Sequence, residues 1–370
     1  MIKTFKNNIF VRFFYHKYSV LKVYLEIVLN FYFKKDKEFN NRYAKVYYAG
    51  AETRNIGGPY LKIKKLKKFF PENKREFNLV YALSNSPKLT NSSINLLKKR
   101  KTPLILNQNG VFYPSWYEGN WKSQNLLMSK VYHRSDYVFW QSNFCKKAAD
   151  RFLGERIGGG EVLYNAIDTK KFYPFKKNSD HIFRFLITGN ISKKNNYRVY
   201  SVIEAFKEII KENKNLHLYI AGFIEDFDFF YGELDKLNLR KFITFLGQYS
   251  QKDAPKIYQK ADAYITMSFQ DNCPSAVIEA MSCGLPILYS SSGGIPELVG
   301  KDSGIGLKVS EDWEKINVPT KHEIYEGILK IIDNKNSMSN HARERAVKLF
   351  DINHWIKKHE EIFEKFINNI

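Results

Sequence analysis

The feature that most constrains this chain is a recurring unit: a short apolar run, a loop, then a helical stretch. In the second half the runs are FRFLITG (183–189), LHLYIAG (216–222), ITFLG (243–247), AYITMS (263–268) and PILYSS (286–291). SVIEAFKEIIKE (201–212) reads as an amphipathic helix, and Pro274 to Cys283 as a helix that Gly284 ends. The first half repeats the pattern with VYYAG (46–50), NLVYALS (78–84), PLILNQN (103–109) and YVFWQS (137–142). Strands this uniformly apolar, separated by helices, belong to parallel sheets covered on both faces. The expected class is α/β, with two doubly wound, Rossmann-like domains, which 370 residues accommodate.

The polar stretch KKNSD (176–180) reads as the boundary between them. The expected organisation is a basic amphipathic extension over 1–44, a first domain over 45–178 and a second over 179–351. The helix expected over 352–370 returns to the first domain.

Charge is concentrated at the start. The chain carries 59 Lys and Arg against 38 Asp and Glu, a formal +21. Residues 1–75 hold 18 of the basic and 5 of the acidic side chains, so this segment contributes 18 − 5 = +13. Such an excess suits nucleic acid, an anionic membrane surface or phosphorylated substrates. YLKIKKLKKFF (60–70) places Ile63, Leu66 and Phe70 on one helical stripe among five lysines, either a solvated face or a basic face for a membrane. Upstream, Arg12, His16, Ser19, Lys22, Glu26 and Asn30 form one narrow polar stripe on an otherwise apolar helix. That helix is too interrupted to span a bilayer and lacks a cleavage-site pattern. It either packs on the core or lies in a membrane interface. Three scattered cysteines exclude a disulfide framework and point to a reducing compartment. The expected location is cytoplasmic, peripheral on the inner face of a membrane. No module of interleaved basic and aromatic residues supports a nucleic-acid partner.

In open α/β sheets ligands bind outside the carboxyl ends of the strands. The loop after AYITMS, SFQDNCPSAVIEAMSCGLP, carries two carboxylates, Asp271 and Glu279, around a helix start. Free N–H groups at Ser275 and Ala276 suit an anion, and the carboxylates suit hydroxyls. Together they fit a ligand with phosphate and polyol parts, such as a sugar nucleotide. Each alone is an ordinary N-cap or surface carboxylate. Gly293-Gly294 permit close backbone approach. After FRFLITG, Gly189 turns the chain, and Lys193, Lys194 and Arg198 supply cations of the kind a diphosphate leaving group needs. Asp226-Phe227-Asp228 reads as a surface acidic loop, and no metal is expected.

In this order, YNAID, Phe172-Tyr173-Pro174, FLITGN, IEAF, LYIAG, FLGQYS, DNCPSAVIEAMSCGLP and SSGGIPELVG resemble the family 4 retaining glycosyltransferases over about residues 45–350. The resemblance implies the GT-B fold, two Rossmann-like domains facing a cleft, with a nucleotide sugar held mainly by the second. It implies that Glu279 binds the ribose and that Asp271 holds the donor sugar near the reacting carbon. Asn272, Ser275, Ala276, Gly293 and Gly294 would complete the donor site with Gly189, Asn190, Lys193 and Arg198. Asp271, Lys194 and Asn109 would act at the reacting centre, and Gly57, Gly58, Asn107 and Gln108 would line the acceptor side. Three departures stand out. Asp271 replaces a Glu, Asn190 follows Gly189 where Arg is usual, and Asn107-Gln108-Asn109 stand where a His is usual. Asn109-Gly110 also has the composition of a simple turn. The implied activity is metal-independent, cofactor-free, retaining transfer of a sugar to a lipid-linked or surface-polysaccharide acceptor. The alternatives are a degenerate regulatory subunit and a GT-B epimerase or phosphorylase.

Overall fold

The computed structural model describes residues 9–33, 43–51, 58–84, 88–175 and 180–368. Gly57 and residues 176–179 of the expected boundary lie outside them. The chain divides into two compact units, Met1–Leu163 with Ile356–Ile370, and Tyr164–Trp355. The division falls before residue 164 because the following stretch bonds to the second unit. Ile167 N–H donates to the Phe350 carbonyl at 2.8 Å, and Asn165 Nδ2 to the Cys273 carbonyl at 2.7 Å. Phe172 packs on Tyr258.

The first unit begins with α1 (Ile9–Phe33), then alternates β1 (Val46–Tyr47), α2 (Gly58–Phe69), β2 (Leu79–Leu83), α3 (Asn91–Lys99), β3 (Leu104–Gln108), α4 (Trp121–Arg134), β4 (Tyr137–Trp140), α5 (Asn143–Leu153) and β5 (Gly159–Val162). The sheet is parallel, in the sequential order β1-β2-β3-β4-β5. Its central strands are buried throughout, which is why LVYAL and LILNQ show no polar alternation.

The second unit contains β6 (Phe183–Thr188), α6 (Tyr197–Glu212), β7 (Leu216–Ala221), α7 (Phe227–Lys236), β8 (Ile243–Gly247), α8 (Ala254–Tyr258), β9 (Ala263–Thr266), α9 (Ser275–Ser282), β10 (Ile287–Ser291), α10 (Ile295–Val299), β11 (Gly304–Lys308) and α11 (Lys321–Phe350). α12 (Ile352–Asn368) follows. The sheet is parallel in the order β11-β10-β9-β6-β7-β8. Starting at β6, the chain adds strands on one side, then crosses to add β9, β10 and β11 on the other. Side chains of β6 alternate between two cores. Phe185 and Ile187 pack with Val202, Phe206 and Ile328 from α6 and α11. Leu186 packs with Val277 and Met281 from α9. The second unit is therefore doubly wound, and the reversal of strand order between β6 and β9 creates the crevice where ligands bind in such sheets.

Asp226-Phe227-Asp228 is not a loop. Asp226 caps α7, accepting the Phe229 N–H at 3.2 Å, because burying Phe230 and Leu234 makes the segment helical.

Candidate functional site

Three loops meet at the carboxyl ends of β6, β9 and β10. The first leaves β6 at Gly189, whose φ of +148° suits glycine and whose Cα has nothing within 4 Å of a Cβ position. Gly222 closes the adjacent end of β7, where a Cβ would lie 2.0 Å from the Gly189 carbonyl oxygen. Asn190 is exposed, and its carbonyl accepts from Asn195 Nδ2 at 3.0 Å. Lys193 is 72% exposed and paired with Asp226 at 3.5 Å. Lys194 is also exposed, whereas Arg198, in the first turn of α6, is half-buried.

The second loop, 267–274, is fastened to both neighbours. The Phe269 N–H donates to the Tyr197 hydroxyl at 3.3 Å, which also accepts from Arg198 Nε at 3.4 Å. The Gln270 N–H donates to Ser292 Oγ at 3.0 Å. The Gly294 N–H donates to the Asp271 carbonyl at 2.8 Å. Gly293 has φ +66°, and a Cβ there would meet the Asp271 carbonyl oxygen at 2.5 Å. Contact between the two loops thus requires glycine at 293, while Gly294 contributes its N–H.

Asp271 Oδ1 accepts the Cys273 N–H at 3.2 Å. Burial pushes the Asp271 carboxyl above the ordinary range, while the nearby Arg198 guanidinium opposes that shift. Asn272 Oδ1 is buried with no hydrogen-bond partner among the described residues. A buried acceptor left unmade costs about 1–3 kcal/mol, so this oxygen is open to a donor from water or a ligand. α9 begins at Ser275 behind Pro274, which has no side-chain acceptor, so no side chain caps the N–H groups of Ser275 and Ala276.

Glu279 is buried at 8% exposure and accepts from Gln251 Nε2 at 3.1 Å and the Tyr258 hydroxyl at 2.8 Å. Thr188 Oγ1, at the end of β6, lies 3.2 Å from Tyr258 and 3.0 Å from Tyr264. Burial first, and the Glu279 charge second, hold the Tyr258 phenol well above its usual value, so it donates. These bonds tie Glu279 to the strand end that the Gly189 loop leaves.

In the first unit a second polar group forms at the carboxyl ends of β2, β3 and β4. Lys62 is buried at 6% exposure, and its amine donates to Asn107 Oδ1 at 2.6 Å and Asn109 Oδ1 at 3.0 Å. Gln141 Nε2 also donates to Asn109 Oδ1. The Asn109 N–H donates to Ser84 Oγ at 3.1 Å. Gln108 turns back on the Gly110 carbonyl at 2.7 Å. Gly58 is the first residue of α2.

The structure therefore brings Asp271, Asn272, Gly293, Gly294 and Arg198 to one place, with Glu279 anchored behind them. It draws Lys193 toward Asp226 instead. Lys62, Gln251 and Tyr258 are the polar residues that sequence reasoning missed. A signal existed for Lys62: it lies four residues before Leu66, hence on the buried side of the lysine-rich helix. A separate cavity of about 530 Å³, lined by Arg184, Asp262, Leu285 and Lys335 among others, lies by the amino ends of β6, β9 and β10. That is the opposite edge of the sheet, away from this chemistry.

Comparison with known proteins places these features. Residues 169–348 match the model of the family described as glycosyl transferases group 1. UDP-Gal:alpha-D-GlcNAc-diphosphoundecaprenol alpha-1,3-galactosyltransferase of Escherichia coli is 27% identical over 228 residues, 56% of this chain and 54% of that one. A probable sucrose-phosphate synthase of Thermosipho melanesiensis is 25% identical over 211 residues, 55% of this chain and 47% of that one. The chain thus spans about half the length of the curated relatives it matches. Among solved structures, Anabaena HepE in complex with UDP superimposes with a TM-score of 0.63 at 16% identity, covering 82% of this chain and 81% of that one. A glycosyltransferase from Rickettsia africae gives 0.63 at 16% identity, covering 86% and 85%. The fold is GT-B, with two parallel-sheet α/β domains.

Proposed function

We propose that this chain is a glycosyltransferase of the family 4 type, which binds a nucleoside-diphosphate sugar on its second unit and transfers the sugar with retention of configuration. The observation that carries the reading is the apposition of the 267–274 loop and the double glycine beside Arg198, at the switch in strand order. The unpartnered Asn272 oxygen and the uncapped start of α9 support it further. In this reading the N–H groups of Ser275 and Ala276 donate to the distal phosphate, while Glu279 accepts from the ribose hydroxyls and Asp271 from a hydroxyl of the donor sugar. Arg198 offsets the charge that builds on the departing diphosphate; Lys194 lies on the same loop. The bond from the anomeric carbon to the phosphate oxygen breaks, and the acceptor oxygen bonds to that carbon on the same face. The acceptor's proton passes to the leaving phosphate, so no protein base is required and no metal is invoked.

The acceptor proposed is lipid-linked or a surface polysaccharide, with the Lys62-ordered amides of Asn107 and Asn109 hydrogen-bonding its hydroxyls. UDP appears in the names of one relative and of several structural neighbours, so uridine diphosphate sugars come first in a ligand panel. The test is a thermal-shift screen of nucleotide sugars followed by product analysis. The reading predicts a rise in melting temperature with one nucleotide class and an α-configured product from an α-configured donor. A product of inverted configuration, or no shift with any nucleotide sugar, contradicts it.

A further inference from the structure

The N-terminal helix α1 keeps one side on the protein and turns a line of large apolar side chains outward. Its inner side consists of Val23, Ile27 and Asn30, at 1%, 2% and 5% exposure. Two residues of the polar stripe, Glu26 and Asn30, turn toward the protein, whereas His16 and Lys22 are exposed. Asn30 Nδ2 donates to the carbonyls of Arg75 at 2.9 Å and Phe77 at 3.2 Å. Glu26 Oε2 accepts from the Tyr47 hydroxyl at 2.5 Å. The opposite side is apolar and faces solvent. Phe14, Tyr18, Leu21, Leu25, Leu29 and Tyr32 follow at steps of 4, 3, 4, 4 and 3, one continuous line on a helix, and their exposures run from 48% to 72%. A contiguous apolar surface of that kind marks an interaction site.

Charge identifies the occupant. Exposed Lys17 and Lys22 border the line on its two sides. At the far end of the helix, Arg100 stacks on the Phe31 ring at 3.6 Å and donates to its carbonyl at 2.7 Å, beside exposed Lys98, Lys99 and Lys101. A second copy seated on this face would bring the same lysines together in a chain of net charge +21. An anionic lipid surface takes both the apolar line and its lysine borders, whose stems lie along the hydrocarbon while the amines meet phosphates. No helix among the described residues is long and apolar enough to cross a membrane.

We propose that the outward line of α1 is a docking surface for anionic lipid, with the helix lying in the plane of the interface and its inner side kept on the protein. Binding is a property of this face alone and does not depend on the donor or the acceptor.

The test is flotation of the full chain with vesicles of phosphatidylcholine plus phosphatidylglycerol, against phosphatidylcholine alone, with no sugar substrate present. The chain is expected to float with the mixed vesicles. Leu21→Ser with Leu25→Ser and Leu29→Ser is expected to lower the bound fraction at least about tenfold, with the melting temperature unchanged. Lys17→Glu with Lys22→Glu, at exposed positions, is expected to weaken binding and flatten its dependence on salt. Failure to float with the mixed vesicles overturns the proposal, as does equal binding by the leucine variant. Concentration-dependent self-association that the leucine variant abolishes, without vesicle binding, assigns the face to a second copy instead. Nucleotide-sugar binding by a chain that ignores vesicles would leave the functional reading standing and remove only this one.

Discussion

The backbone N–H of Gly294 reaches the carbonyl of Asp271 at 2.8 Å, joining the loops that leave two neighbouring strands. That bond makes the acidic loop and the double glycine one object, and their close approach leaves no room for a Cβ at Gly293.

Gly293→Ala tests this packing. The new Cβ would sit 2.5 Å from a backbone oxygen at φ +66°. The strain is expected to cost about 1–3 kcal/mol. A lowered melting temperature with at least a tenfold loss of nucleotide affinity is the expected outcome, read by calorimetry beside a thermal melt.

Asp271→Asn should separate stability from function. Burial raises the folded-state carboxyl above its unfolded value, so the protonated form favours folding at low pH. That contribution is complete below the unfolded value and is lost as pH rises through the folded one. At neutral pH the amide is therefore expected to melt higher than the native protein, and at acid pH the difference should vanish. Sugar transfer should fall, because a neutral amide is a weaker acceptor than a carboxylate and puts a donor in place of one of its two oxygens. A variant that melts lower at neutral pH and equal at acid pH would reverse the sign.

Lys62→Met probes the first unit. Removing the amine takes the Lys62 bond from the Asn107 oxygen and leaves Asn109 with Gln141 as its donor, a loss of about 1–3 kcal/mol. Turnover and acceptor KM are expected to suffer, while the affinity for nucleotide stays within twofold, because that site is built on the other unit. Equal losses in both would show that the lysine serves folding alone.

Chelation addresses the reaction chemistry. Activity should persist in excess EDTA. Loss of activity that added manganese or magnesium restores would place a metal in the mechanism.

The strands were legible because most are buried on both faces, so LVYAL, LILNQ, FRFLIT and AYIT stand out as apolar runs. β5 and β11 were not, because each carries two glycines. Gly304 is required where a Cβ would meet the Ile287 carbonyl oxygen at 2.1 Å. Asp271, Asn272 and the double glycine were legible from order and spacing. The placement of Arg198 beside Asp271 was not separable from that of Lys193, since the Asp226 that draws Lys193 away lies 33 residues on. The orientation of α1 was equally hidden. Asn30 is held by backbone carbonyls 45 and 47 residues away, and Glu26 by the Tyr47 hydroxyl, contacts that no local pattern encodes.

The central claim is that the loops after β6, β9 and β10 hold a nucleotide sugar. Calorimetric titration of the full chain with a nucleotide-sugar panel, repeated for Arg198→Met and Asn272→Leu, tests it most directly. The account predicts saturable binding of one nucleotide class, weakened at least about tenfold in each variant, the loss of one charge-assisted or buried hydrogen bond. Binding that both variants leave unchanged, or no heat from any member of the panel, would contradict it.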